Sequence, residues 1–122
     1  MNAAAPNPWH VERIDLDVVA RLAAAHEPDP RAVDTGVDII SDLHRVNDDG
    51  YNWTRLRHAR NVADVVPGAA VVVVGSAIGE YLAKVIAWDF EVSDDDPIVV
   101  LELLPIQPSE VRRLLARRTP AA

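Results

Sequence analysis

The chain reads as one α+β domain: N-terminal helices, a three-stranded antiparallel β-meander over about 69–104, and a short C-terminal helix. Three observations carry that reading. Apolar residues recur at helical spacing through the first half, and a four-valine run, Val71–Val74, opens a strand-rich stretch that ends at Leu104. Ser109-Glu110 then opens a last apolar stripe. A length of 122 residues with 49% hydrophobic side chains suits a single core, residues 1–122 forming one domain. Its expected parts are an extended arm (1–10), a helical part (11–66), the meander (67–105) and the C-terminal helix (106–120).

In chain order, prolines interrupt residues 1–10, and Trp9 is a candidate anchor onto the body. A first helix is expected from about Asp15 to His26, with Leu16, Val19, Ala20 and Ala23 on one face. Glu27-Pro28-Asp29-Pro30 ends it, because proline excludes the helical state from the residue before it. Asp29 caps a second helix, Pro30 takes its first position, and the periodicity carries that helix to Val46 or Asn47. Val33, Val37, Ile40 and His44 then form one stripe, with Ile39, Leu43 and Val46 beside it, and Asp34, Asp38 and Asp42 lie outside. Asn47-Asp48-Asp49-Gly50 is a turn, and Thr54 can cap a short helix over Arg55–Arg60.

Pro67-Gly68 marks the next turn, and Val71–Val74 is a strand by β-branching. Residues 80–91 fit either period. The strand reading is preferred, with Leu82, Ile86, Trp88 and Phe90 on one side and Tyr81, Ala83, Val85, Ala87 and Asp89 on the other. Ser93–Pro97 is then an exposed acidic turn and Ile98–Leu104 the third strand. A small open barrel that recruits 62–66 as an extra strand is a variant. Val111, Leu114 and Leu115 give the last helix its apolar face.

Composition excludes several functions. Without cysteine there is no thiol catalysis, disulfide or cysteine-based metal site. A net charge of −7 opposes general binding to nucleic acid. The charge alternates in blocks: residues 1–50 and 61–104 are acidic, while 51–60 (Arg55, Arg57, Arg60) and 105–122 are basic. The first residues hold neither the basic cluster nor the apolar core of a secretory signal, and no window approaches the ~18–20 apolar residues of a membrane helix. A cytoplasmic protein without membrane contact is expected.

The motifs are equally restrictive. Valine strand, Gly75 and Gly79 imitate the opening of a dinucleotide-binding unit, but Ala77 and Glu80 stand where its second and third glycines belong. A hairpin turn is therefore expected. His10, His26, His44 and His58 show no metal-ligand spacing, and His44 is expected as a hydrogen-bonded core residue. Asp94-Asp95-Asp96 lacks the alternating ligands of a calcium loop and reads as a solvated turn. No catalytic, cofactor or metal residue is assigned.

Gly50-Tyr51-Asn52-Trp53-Thr54-Arg55-Leu56, followed by Val66-Pro67-Gly68-Ala69 and the valine strand, resembles small uncharacterised proteins of actinobacteria and their phages. Those share a G-Y-x-W-T-x-L element before a P-G-A strand start. The resemblance covers 50–75, and 76–104 more loosely. It implies strand structure over 80–91 but no activity, cofactor or site residue.

The functional expectation is a small acidic, non-enzymatic interaction or regulatory protein, encoded by a phage or mobile element, with another protein as partner. Tyr51, Trp53, Arg55, Arg57 and Trp88 are the candidate partner-binding residues. The composition also permits a homo-oligomer. The alternatives are a nucleic-acid-associated protein using the arginine patches, and a small enzyme with a site beside His44 or His58.

Overall fold

The computed structural model of the chain describes residues 9–75, 79–106, 110, 113 and 116. Its helices are few and short, and each has a local cause. Helix α1 (Leu16–Ala25) starts where the Asp15 carboxylate accepts from the Asp17 N–H, and it buries Val19 and Leu22. Helix α2 spans only Pro30–Thr35. Asp29 caps it and Pro30 holds its first position as expected, but Gly36 at φ 76° closes it after six residues.

That early stop corrects the expected second helix. Beyond Gly36, Val37, Ile39 and Ile40 favour the pleated backbone by their branched Cβ, and Ile39–Ile40 form strand β2. Short apolar runs satisfy both helical and extended periods, so spacing alone could not separate them. The outer stripe of Asp34, Asp38 and Asp42 does not exist. Asp34 and Asp42 are exposed, whereas Asp38 is buried and its carboxylate accepts from the Val72 N–H at 2.7 Å. His44, expected in the core, is exposed because it lies in the loop after β2.

The expected α+β arrangement gives way to a mostly-sheet architecture, a mixed six-stranded sheet curled into half a barrel. The other strands are β1 (His10–Val11), β3 (Asn52–Arg55), β4 (Ala70–Gly75), β5 (Gly79–Asp89) and β6 (Ile98–Leu103). Their order is β2-β4-β5-β6-β3, and β1 pairs with β5. The antiparallel trio β4-β5-β6 is thus the middle of a larger sheet, with β2 added in parallel to β4. Of the residues expected as a helix over 55–60, Arg55 ends β3 and Leu56–His58 form a single 3-10 turn. Val62–Val65 is also a 3-10 turn, not the extra strand of the open-barrel variant. Of the expected C-terminal helix, Glu110, Arg113 and Ala116 are described and helical; its other residues lie outside the described set, as do Ser76–Ile78 of the glycine turn.

Strand β5 carries a bulge. Val85 pairs with Leu101 and Ala87 with Val100, so Ile86 has no partner in the β6 register. This shift corrects the expected face assignment: Trp88 joins Ala83 and Val85 in the main core, together with Val19, Leu22, Leu56, Val65 and Val99. Ala32, Val37, Ile40 and Val72 form a smaller second cluster.

The two ends of the strand order face each other across the curl. Thr54 Oγ1 donates to the Ile40 carbonyl at 2.8 Å, and Ser41 Oγ to the Trp53 carbonyl at 3.3 Å. Side-chain hydroxyls from β3 and the residue after β2 thus take the place of a backbone ladder there. This closure positions the surface described next.

Candidate functional site

Two clefts adjoin at the seam. The larger, about 800 Å³, is open and runs between the end of α1, the start of α2, the Leu56–His58 turn and the acidic turn at Asp95-Asp96. The smaller, about 210 Å³, lies over the closure itself and is walled by Ile40, Ser41, Asp42, Arg45, Trp53, Thr54 and Arg55. Arg31 and His58 line both.

The shared wall is held by Asp29. Its carboxylate is almost fully buried and meets Arg31 Nη2 at 2.8 Å, Arg31 Nε at 3.2 Å and His58 Nδ1 at 3.0 Å. It also accepts the Arg31 backbone N–H at 2.9 Å, the capping bond of α2. Hydrogen bonds from Arg31 hold the Asp29 carboxyl well below the usual carboxylate range; burial opposes them, and His58 adds to the lowering. The same contact holds the Arg31 guanidinium above its ordinary value. His58 Nε2 makes no hydrogen bond among the described residues, and the ring is one-third exposed at 33%.

A second carboxylate, Asp96, organises the basic residues that follow β3. Arg57 donates to it from its backbone N–H at 2.9 Å and from Nε at 2.7 Å, and Arg55 Nε lies at 3.2 Å. Burial pushes the Asp96 carboxyl up, but the arginine contacts outweigh it and hold the group low. The acidic turn is therefore anchored at Asp96, although Asp94 and Asp95 remain exposed as expected. Arg21 of α1 pairs with Asp95 at 3.1 Å.

The predicted contact residues divide. Trp53 and Arg55 line the smaller cleft, and Arg57 lines the larger. Tyr51 is half-buried and lines neither cleft; its carbonyl accepts from the Asn47 N–H, and its own N–H donates to Asn47 Oδ1. Trp88 must be withdrawn as a contact: it is fully buried, and its indole N–H donates to the Val65 carbonyl at 2.9 Å. Its inward place follows from the β5 bulge. Arg31 and Arg45 were not singled out, yet Arg45 sets its guanidinium 5.3 Å from the centre of the Trp53 ring. The signals available were indirect: the Asp29-Pro30-Arg31 cap, and Asn52, whose amide donates to the Leu43 and Arg45 carbonyls at 2.8 and 3.2 Å.

Chemically, the seam presents guanidinium donors beside an indole face. Among the described residues, no group of three or more His, Asp or Glu side chains is placed to hold a metal ion, and no helix is long and apolar enough to cross a membrane. No protein-family model, curated protein or solved structure matches the chain.

Proposed function

We propose that this chain is a non-enzymatic binding protein that presents the arginine-tryptophan seam to an acidic segment of a partner protein. One observation carries the reading: Arg31, Arg45 and Arg55 converge with Trp53 on one small cleft of a chain whose net charge is −7. Arginine and tryptophan are the side chains that most often anchor interfaces, through bidentate pairing and large planar contact. The surroundings favour a short anionic segment over a long polyanion. Glu27, Asp95 and Asp42 line the same clefts and would repel a continuous phosphate backbone. A cytoplasmic location and a phage or mobile-element origin belong to this reading.

An NMR titration of the Trp53 indole N–H tests it, using an aspartate- and glutamate-rich peptide, a basic peptide and a single-stranded oligonucleotide at low and moderate salt. The acidic peptide should shift the resonance, and Arg45→Gln should weaken that effect. Tighter, steeply salt-dependent binding of the oligonucleotide would move the function to nucleic acid. No response to either would end the seam as a binding surface.

The Asp29–His58 pair favours a second reading, an enzyme in the larger cleft. A buried carboxylate on Nδ1 orients an imidazole whose Nε2 makes no hydrogen bond among the described residues, the arrangement of a general base. Turnover of chromogenic carboxyl or phosphate esters by the native chain, abolished in His58→Gln, would replace the binding reading with this one.

A further inference from the structure

We infer that the smaller cleft is a pocket for a phosphate monoester, a phosphorylated side chain carried by the partner's segment. The inference rests on the binding reading above and adds the chemistry of the group bound.

The donors come first. Arg55 spends its Nε on Asp96 at 3.2 Å, and its two terminal nitrogens meet no acceptor among the described residues. Arg45 has its Nε 3.7 Å from Asp42 and its guanidinium over Trp53, which leaves its terminal nitrogens likewise unengaged. Arg31 is held by Nε and Nη2 on Asp29, leaving Nη1. Asp29 and Asp96 line the larger cleft and not the smaller one, so they brace two of the three arginines from outside the pocket.

Acceptors inside the pocket are few. Asp42 is the one acid in its lining, and it takes the His44 N–H at 3.0 Å besides facing Arg45. The Ser41 and Thr54 hydroxyl protons are committed to the Trp53 and Ile40 carbonyls. A ligand here meets donors and little else, so it should be an acceptor only. An ionised phosphate monoester satisfies that, with three strong acceptor oxygens and nearly two negative charges at neutral pH.

Shape and size separate phosphate from carboxylate. One guanidinium suffices to pair both oxygens of a planar carboxylate, whereas three guanidiniums from separate elements suit a tetrahedral group. A cavity of about 210 Å³ holds roughly seven waters at about 30 Å³ each, room for a phosphoryl group and its ester oxygen but not for a folded chain of nucleotides.

The test is a titration of the full chain, followed by the Trp53 indole N–H and the arginine Nε–H resonances. The ligands are a phosphoserine peptide, the same peptide with glutamate in place of phosphoserine, inorganic phosphate and adenosine monophosphate. The phosphopeptide should bind at least about tenfold more tightly than the glutamate peptide, the scale of one charge-assisted hydrogen bond. Inorganic phosphate should compete with it. Arg55→Gln and Arg45→Gln should each remove that preference. Arg45 is the safer variant for folding, since its described partners are the exposed Asp42 and the Trp53 ring. Equal affinity for the two peptides overturns the phosphate assignment and leaves the acidic-segment reading standing. Binding of neither peptide overturns both. Tighter binding of adenosine monophosphate than of the phosphopeptide overturns the assignment to a protein segment.

Discussion

The hydroxyl of Thr54 donates to the carbonyl of Ile40 at 2.8 Å, joining the two ends of the strand order through one buried side chain. Both residues are buried, so neither partner group can turn to water without opening the seam. Thr54→Val keeps the shape but strands the Ile40 carbonyl, and should cost about 1–3 kcal/mol. Thr54→Ser keeps the donor and should cost less. Urea unfolding of the two variants measures the difference, and equal stability would show that the seam is held by other contacts.

The tryptophans should separate stability from binding. Trp88→Ala empties a fully buried site and unpairs the Val65 carbonyl, with an expected loss of about 3–5 kcal/mol. Trp53 is only partly buried and its described ring contact is Arg45, so Trp53→Ala should cost about 1 kcal/mol or less. Its effect should fall on affinity for the anionic segment. A Trp53→Ala chain that binds as tightly as the native one removes the indole from the site.

Acid should weaken the fold through two aspartates. Asp29 and Asp96 are both held below their ordinary value of 3.8 in the folded state. A depressed carboxylate stabilises the fold fully above its unfolded value, and that contribution is lost as pH falls from there through the folded value. These two groups should therefore leave stability flat near neutrality and lower it below about pH 4. Thermal melts from neutral pH downward check this. Asp29→Asn should start less stable at neutrality and decline less steeply, because the group that titrates is gone.

Asn52 should link the fold to the site. Its buried amide holds the carbonyls of Leu43 and Arg45, the loop that carries the guanidinium to Trp53. Asn52→Ala should cost about 1–3 kcal/mol from the unpaired carbonyls. It should also loosen Arg45 and so weaken anion binding, by no more than Arg45→Gln does. Hydrogen exchange over residues 43–47 measures the first effect and peptide titration the second.

Local chemistry was legible in the sequence. Asp29 before Pro30 starts α2, the Asn47–Gly50 turn forms with Gly50 at φ 86°, and Val71–Val74 lie within a strand. Each is decided within a few residues by caps, positive φ or branching at Cβ. What the sequence left open was set by partners far along the chain. Residues 37–40 satisfy both periods, and pairing with the distant strand β4 and with Ala59 fixes Ile39–Ile40 as extended. Ile86 bulges because β6 offers it no partner, which turns Trp88 inward. The arginine seam has the same origin: Arg31 and His58 stand 27 positions apart, and Arg55 and Asp96 stand 41 apart. Only the curl of the sheet brings such pairs together, since charges this distant in sequence share no backbone geometry that spacing could reveal.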